Sequence, residues 1–347
     1  MAPFELVFCH SCGLIFNSLF DAKLVDYAGV TEESQHFSDT FNSFARELID
    51  EIATSFDLYG KMTLEIGCGK GEFLAELVDR TGTIGVGVDP GFRSERLKYD
   101  GRVSFRKEYF NSRTIDVLPD FVLCRHTLEH IPDIRDFIGG ISEVIAMNPE
   151  ASLFFETPDV YRVLQEGAFW DLYYEHCSYF TLSSHARAFQ DMGFRVTNKR
   201  IRYENQYIIQ YADKKMESVL ADVDDSLKAT RDLVAAFPKK AAEVKKYWSN
   251  LISQRYETGK RVALWGGGSK AVSFLTSLNI DEQISSVVDI NPMKQGKYLP
   301  RTSHKVCAPQ ELMENPPDTV IVMNPIYLEE VKEQLCGFGL NPELMAV

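Results

Sequence analysis

Apolar side chains at Phe41, Phe44, Leu48 and Ile52 recur at the spacing of one helix face and predict an amphipathic helix. Met62-Thr63-Leu64-Glu65-Ile66 is a short apolar run that reads as a strand and empties into Gly67-Cys68-Gly69-Lys70-Gly71. Helical periodicity returns with Phe73, Leu74 and Leu77, and a second strand, Ile84–Val88, ends at Asp89. Further strand-like runs stand at Val103–Phe105, Asp120–Cys124 and Ser152–Phe155. A helix around Ser184–Met192 precedes two close runs, Phe194–Ile201 and Tyr207–Tyr211, which read as a closing hairpin. Strands alternating with helices predict a parallel sheet covered on both faces. The fold class expected is therefore α/β, a doubly wound sheet.

Beyond it, Leu220, Val223, Leu227 and Val234 keep helical spacing until Pro238, and Val244, Trp248 and Leu251 resume it among lysines. This predicts two helices or one kinked helix with a solvated charged face, a bridge between domains. A second α/β unit opens with the strand Arg261–Trp265, followed by Gly266-Gly267-Gly268-Ser269-Lys270-Ala271. Ser286–Val288, ending at Asp289, and Thr319–Met323 are its further strands. The expected organisation is a small amino-terminal module over residues 1–30, a sheet domain over 31–212, a helical connector over 213–258 and a smaller Rossmann-like domain over 259–347.

Charge narrows the partners. The 347 residues carry 37 Lys and Arg against 50 Asp and Glu, a net charge of −13. Nucleic acid and anionic membranes, which need a basic face, are not expected partners. No apolar run approaches a membrane span, and Met1-Ala-Pro-Phe-Glu lacks the pattern of a secretion signal. These features lead us to expect a cytoplasmic protein. Seven cysteines, an odd number thinly spread, predict reduced thiols. Cys9 and Cys12 form the one Cys-x-x-Cys pair, and a structural zinc site needs four ligands. No metal is expected there.

The glycines at 67, 69 and 71 follow a strand and open a helix, so the backbone can turn tightly and approach a ligand. Their spacing is neither that of a dinucleotide fingerprint nor that of a Walker loop. Asp89, at the end of the next strand, is placed for ribose hydroxyls, and Glu65 favours a cationic ligand. An adenosyl ligand with a sulfonium and an amino-acid tail fits these features.

With Glu65–Gly71, Asp89 and the segment Asp120–Pro132, the stretch from Ser34 to Asp213 resembles class I S-adenosylmethionine-dependent methyltransferases. The resemblance places Phe110, beside Glu108 and Tyr109, along the adenine, and leaves His126 either bordering the donor or closing its strand. Tyr173-Tyr174-Glu175-His176, Val288–Gln295 and Met323-Asn324-Pro325 further resemble the sugar C-methyltransferases. Members of that family methylate a carbon beside a keto group on a nucleotide-linked sugar. They carry an amino-terminal zinc module, of which Phe4–Phe16 matches the second half. The resemblance implies S-adenosylmethionine as cofactor, a nucleotide sugar as small-molecule partner, and His130, Tyr173, Glu175 and His176 as the reactive group. Carbon becomes a nucleophile only after losing a proton, so a base and an enolate-stabilising group are needed, and histidine titrates near neutrality.

Gly266, Gly268 and Ala271 fit G-x-G-x-x-A, with Asp289 on the next strand and Lys270 at the helix opening. Substrate phosphates, a nicotinamide cofactor or an emptied architectural relic would each suit that loop. An O-methyltransferase, a nicotinamide-dependent oxidoreductase and a silent binding protein are the competing readings of the whole chain.

Overall fold

The computed structural model describes residues 4–26, 35–93, 101–214 and 224–347. Leu220, Val223 and the expected boundary at residues 30 and 31 lie outside them. The chain folds into two compact units. The first comprises Met1–Ser34, Phe44–Arg162 and Tyr174–Leu233; the second comprises Gln35–Ser43, Val163–Tyr173 and Val234–Val347.

The chain opens with a hairpin, β1 (Leu6–Phe8) and β2 (Ile15–Asn17), turned at Gly13 with φ 78°. Helix α1 (Asp39–Ser55) follows, burying Phe41, Phe44, Leu48 and Ile52 as their spacing predicts. Then come β3 (Met62–Ile66), α2 (Glu72–Thr81), β4 (Ile84–Val88), β5 (Val103–Arg106), β6 (Phe121–Arg125), α3 (Ile134–Val144) and β7 (Ser152–Pro158). Helix α4 (Val160–Glu166) and the short strand β8 (Ser178–Tyr179) lead to α5 (Leu182–Gln190), β9 (Arg195–Arg202) and β10 (Tyr207–Asp213).

The main sheet runs β5-β4-β3-β6-β7-β10-β9, with β10 antiparallel to both neighbours. Every residue of β6 and of β10 is buried, because both faces of the sheet are covered. Strand order reverses between β3 and β6, and the crevice outside the carboxyl ends of such a sheet is where ligands bind. Short local signals stop and start the helices. Gly82, with φ 72°, donates its N–H to the Val78 carbonyl at 2.9 Å and ends α2. Thr181 and Ser184 form a capping box on α5.

Of the two helices or one kinked helix that Pro238 suggested, residues 224–257 form a single helix, α6 (Asp224–Glu257), with that proline inside. Thr230, Ala241, Trp248 and Ile252 form its buried stripe. The division between the units falls within α6.

In the second unit, β11 (Val262–Trp265), α7 (Ser269–Leu278), β12 (Ser286–Val288), β13 (Val306–Cys307), β14 (Thr319–Val322), α8 (Leu328–Gly337) and β15 (Glu343–Ala346) follow in turn. Their strands form a wholly parallel sheet in the order β13-β12-β11-β14-β15. Its core is built from Trp265, Val288, Val320, Val322, Val331 and Leu335. No helix among the described residues is long and apolar enough to cross a membrane.

Candidate active site

The turn from β3 to α2 needs its glycines. Gly67, Gly69 and Gly71 all have positive φ, at 73°, 55° and 84°. A methyl group on Gly67 would sit 1.9 Å from Thr127 Oγ1, so no larger residue fits there. At Gly69 the same construction meets nothing within 4 Å, so the loop's outer side opens onto free space. Asp89 closes the turn: Gly69 N–H donates to Oδ2 at 2.9 Å and Gly91 N–H to Oδ1 at 2.6 Å. Burial raises the Asp89 pKa, and these two amides and Lys70 oppose that rise.

Glu65, the last-but-one residue of β3, is 2% exposed, and its Oε2 lacks a hydrogen-bond partner. Burial lifts its carboxyl to a pKa of about 8 against the opposing charge of Arg125. A buried, unsatisfied acid beside an open glycine turn suits the cationic end of a sulfonium donor. Donor affinity is therefore expected to rise with pH, by up to ~10-fold per unit, and to level off above about 8. The sign follows because a bound cation favours the ionised acid, so binding below that pH releases a proton. Titration calorimetry in buffers of different ionisation enthalpy would reveal the release. A Glu65→Gln variant retaining both the release and the slope would refute the assignment.

At the carboxyl end of β6, Arg125 pairs in register with Glu156 of β7. Arg125 Nε donates to Glu156 Oε2 at 2.5 Å, and the guanidinium lies 3.9 Å above the Phe73 ring. His126, at the strained φ of 46°, sets Nε2 3.0 Å from Glu156 Oε1 and Nδ1 3.7 Å from Glu129 Oε1. Burial would raise the Glu156 pKa, but Arg125 and His126 overcome it and bring it to about 2. Burial likewise opposes a charge on His126, yet Glu156 and Glu129 raise its pKa to about 9. His126 is thus held as a cation among carboxylates.

His130 ends the short turn Leu128–His130 that follows β6. Its Nδ1 lies 2.9 Å from the Glu175 carbonyl oxygen. A carbonyl can only accept, so Nδ1 carries a proton there. His176 is buried, and its ring meets that of His130 edge-on at 4.8 Å. The loop bearing His176 is tied down by the amino-terminal hairpin. There β2 pairs with β8, Asn17 N–H donates to the Cys177 carbonyl at 2.9 Å, and Asp21 N–H donates to Tyr174 Oη at 2.8 Å. The structure thus brings His130 and His176 together in the first unit. Glu175 reaches them through its backbone, and Tyr173 belongs to the second unit. Phe110 leans edge-on against Phe137 at 5.5 Å, with Gly140 beneath its ring. Cys9 and Cys12 sit in the hairpin turn, where hydrogen bonds from Ser11 and the backbone lower Cys9 to about 7.

In the second unit the glycine turn repeats the arrangement of the first. Gly267 N–H donates to Asp289 Oδ2 and Asn291 N–H to Oδ1, both at 2.8 Å. Gly266 has φ 114°. Lys270, at the opening of α7, pairs with Asp171 at 2.6 Å. The cation against Gly268 is Lys294: a methyl group on that glycine would stand 3.4 Å from its Nζ.

Residues 37–199 match the family described as a methyltransferase domain, and residues 200–339 match the C-methyltransferase C-terminal domain. The two matches follow one another along the chain and support a methyltransferase with a C-methyltransferase C-terminal domain. This methyltransferase is 26% identical to the C-methyltransferase NovU of Streptomyces niveus, over 82% of its own length and 72% of NovU. It is 30% identical to a Salmonella paratyphi A ubiquinone biosynthesis O-methyltransferase over 29% of this chain and 43% of that one. Among solved structures it is similar to the Synechocystis magnesium protoporphyrin IX methyltransferase, with TM-score 0.40 and 16% identity. That match covers 54% of this chain and 90% of the other. The cofactor of the methyltransferase is S-adenosylmethionine.

Three buried charged residues of the site, Arg125, Glu129 and Glu156, were not among those read from the sequence. A faint signal existed: Glu156 is a lone acid inside the apolar run Ser152–Pro158, and Arg125 ends another. An acid in a doubly covered strand needs a cation, which the neighbouring strand supplies.

Proposed function

We propose that the methyltransferase methylates a carbon beside a keto group on a nucleotide-linked sugar, through an enolate generated at His130 and His176. The observation that carries this reading is the pairing of the two imidazoles next to the donor loop's strands, with His130 Nδ1 donating to the Glu175 carbonyl. The motifs around Tyr173–His176 and Val288–Gln295 support a sugar acceptor, and the 26% identity to a C-methyltransferase supports carbon as the methylated atom.

S-adenosylmethionine supplies an electrophilic methyl group on a sulfonium. Glu65 and Asp89 orient that donor, and the open side of Gly69 admits it. His176 or His130 removes the proton of the acceptor carbon, and the electron pair passes to the carbonyl oxygen as the enolate. A hydrogen-bond donor at that oxygen stabilises the enolate.

The enzyme with a keto-sugar nucleotide in deuterated water is expected to exchange the proton next to the carbonyl, read by proton NMR, before methylation. Methyl transfer to a hydroxyl with no exchange would replace this reading with O-methylation.

A further inference from the structure

Glu129 has no place in the reading above, yet it is 2% exposed and its Oε2 has no hydrogen-bond partner. It precedes His130 directly, and one of its carboxylate oxygens lies within 4.8 Å of a ring nitrogen of both His130 and His176. Its other neighbour is His126, whose Nδ1 is 3.7 Å from Oε1. The loop backbone holds it in place, because its own carbonyl accepts from Cys177 Sγ at 3.5 Å. An unsatisfied carboxylate oxygen buried in protein is costly. Such a group persists where a charge or donor arrives during function.

We infer that Glu129 is a positioning residue for proton abstraction, the carboxylate that stabilises the imidazolium formed on the histidine pair. This role rests on the carbon-methylation reading above. In the step concerned, the acceptor's C–H bond breaks, an N–H bond forms on the imidazole, and the C–H electron pair moves onto the carbonyl oxygen. The pair of rings gains one positive charge and the acceptor one negative charge. A fixed anion within 4.8 Å of both rings offsets the first of these in a site where water cannot. Glu129 then acts on the histidines as the buried acid of a hydrolytic triad acts on its histidine.

Two imidazoles and a carboxylate are also a divalent-metal donor set. Metal content therefore separates that role from the electrostatic one in the test below.

The test uses the full-length enzyme and isotope exchange at the acceptor carbon. Glu129→Gln is expected to slow exchange and kcat by ~10²-fold or more, leaving donor Kd and acceptor KM unchanged. In Glu129→Ala, added formate is expected to restore exchange and chloride is not, a charge-specific rescue that a packing role would not show. Unaltered exchange in Glu129→Gln, or loss of rate without formate rescue, would overturn the assignment to Glu129. So would about one equivalent of a divalent metal in the wild-type protein that disappears in Glu129→Gln. Absence of exchange in the wild type would instead overturn the carbon-methylation reading itself.

Discussion

His130→Ala and His176→Ala are each expected to lower turnover by ~10²–10⁴-fold, the usual cost of losing a general base. Donor affinity should stay within a few-fold, because neither ring belongs to the glycine turn that Asp89 closes. The split between turnover and donor binding is the informative result, read by single-turnover kinetics beside calorimetry of the donor. The two variants need not be equal. His130 donates from Nδ1 to the Glu175 carbonyl, while His176 is the more buried ring, on a loop held by the amino-terminal hairpin. The variant that also abolishes solvent exchange identifies the ring that takes the proton. Undiminished turnover in both would remove the histidine pair from the chemistry.

Glu156→Gln is expected to destabilise the first unit by about 3–5 kcal/mol. It keeps the volume but leaves Arg125, 7% exposed on its side chain, and the cationic His126 without their shared anion. The pH dependence gives an independent reading. Glu156 titrates near 2 in the folded protein, against 4.5 for an ordinary glutamate. Its contribution is therefore present above pH 4.5 and is lost as pH falls from 4.5 towards 2. Thermal midpoints followed by circular dichroism should show wild type losing stability over that window. Glu156→Gln, already lacking the contribution, should lose less. Equal acid sensitivity in both proteins would mean that the ion pair does not hold this strand pair together.

Much of the architecture was legible because it is written in local signals. Periodicity located α1, β3, β4, β6 and both glycine turns, and buried strands read as apolar runs because both faces of a parallel sheet are covered. The amino-terminal hairpin and β8 were not visible. They are two or three residues long, too short for any period to show, and β8 exists because it pairs with β2 across more than 150 residues. Pro238 left two helices or one kinked helix open, and the structure has one helix. The proline's local cost argued for a break, but the stripe Thr230, Ala241, Trp248 and Ile252 is buried along one face, and packing outweighs the lost hydrogen bond.

For the site, the sequence alone determined the backbone chemistry: glycines where φ must be positive, and an acid one strand later to receive the turn's amides. Both depend on neighbours within about two dozen residues, so spacing reveals them. Tertiary structure decided which charges share a dielectric. Arg125 and Glu156, 31 residues apart, meet only because β6 and β7 lie in parallel register. Lys270 meets Asp171, and Glu129, unremarkable in sequence, became a buried acid with an unsatisfied oxygen between histidines. Coulomb interaction and desolvation depend on separation in space and on water exclusion, and neither is a property of position along the chain.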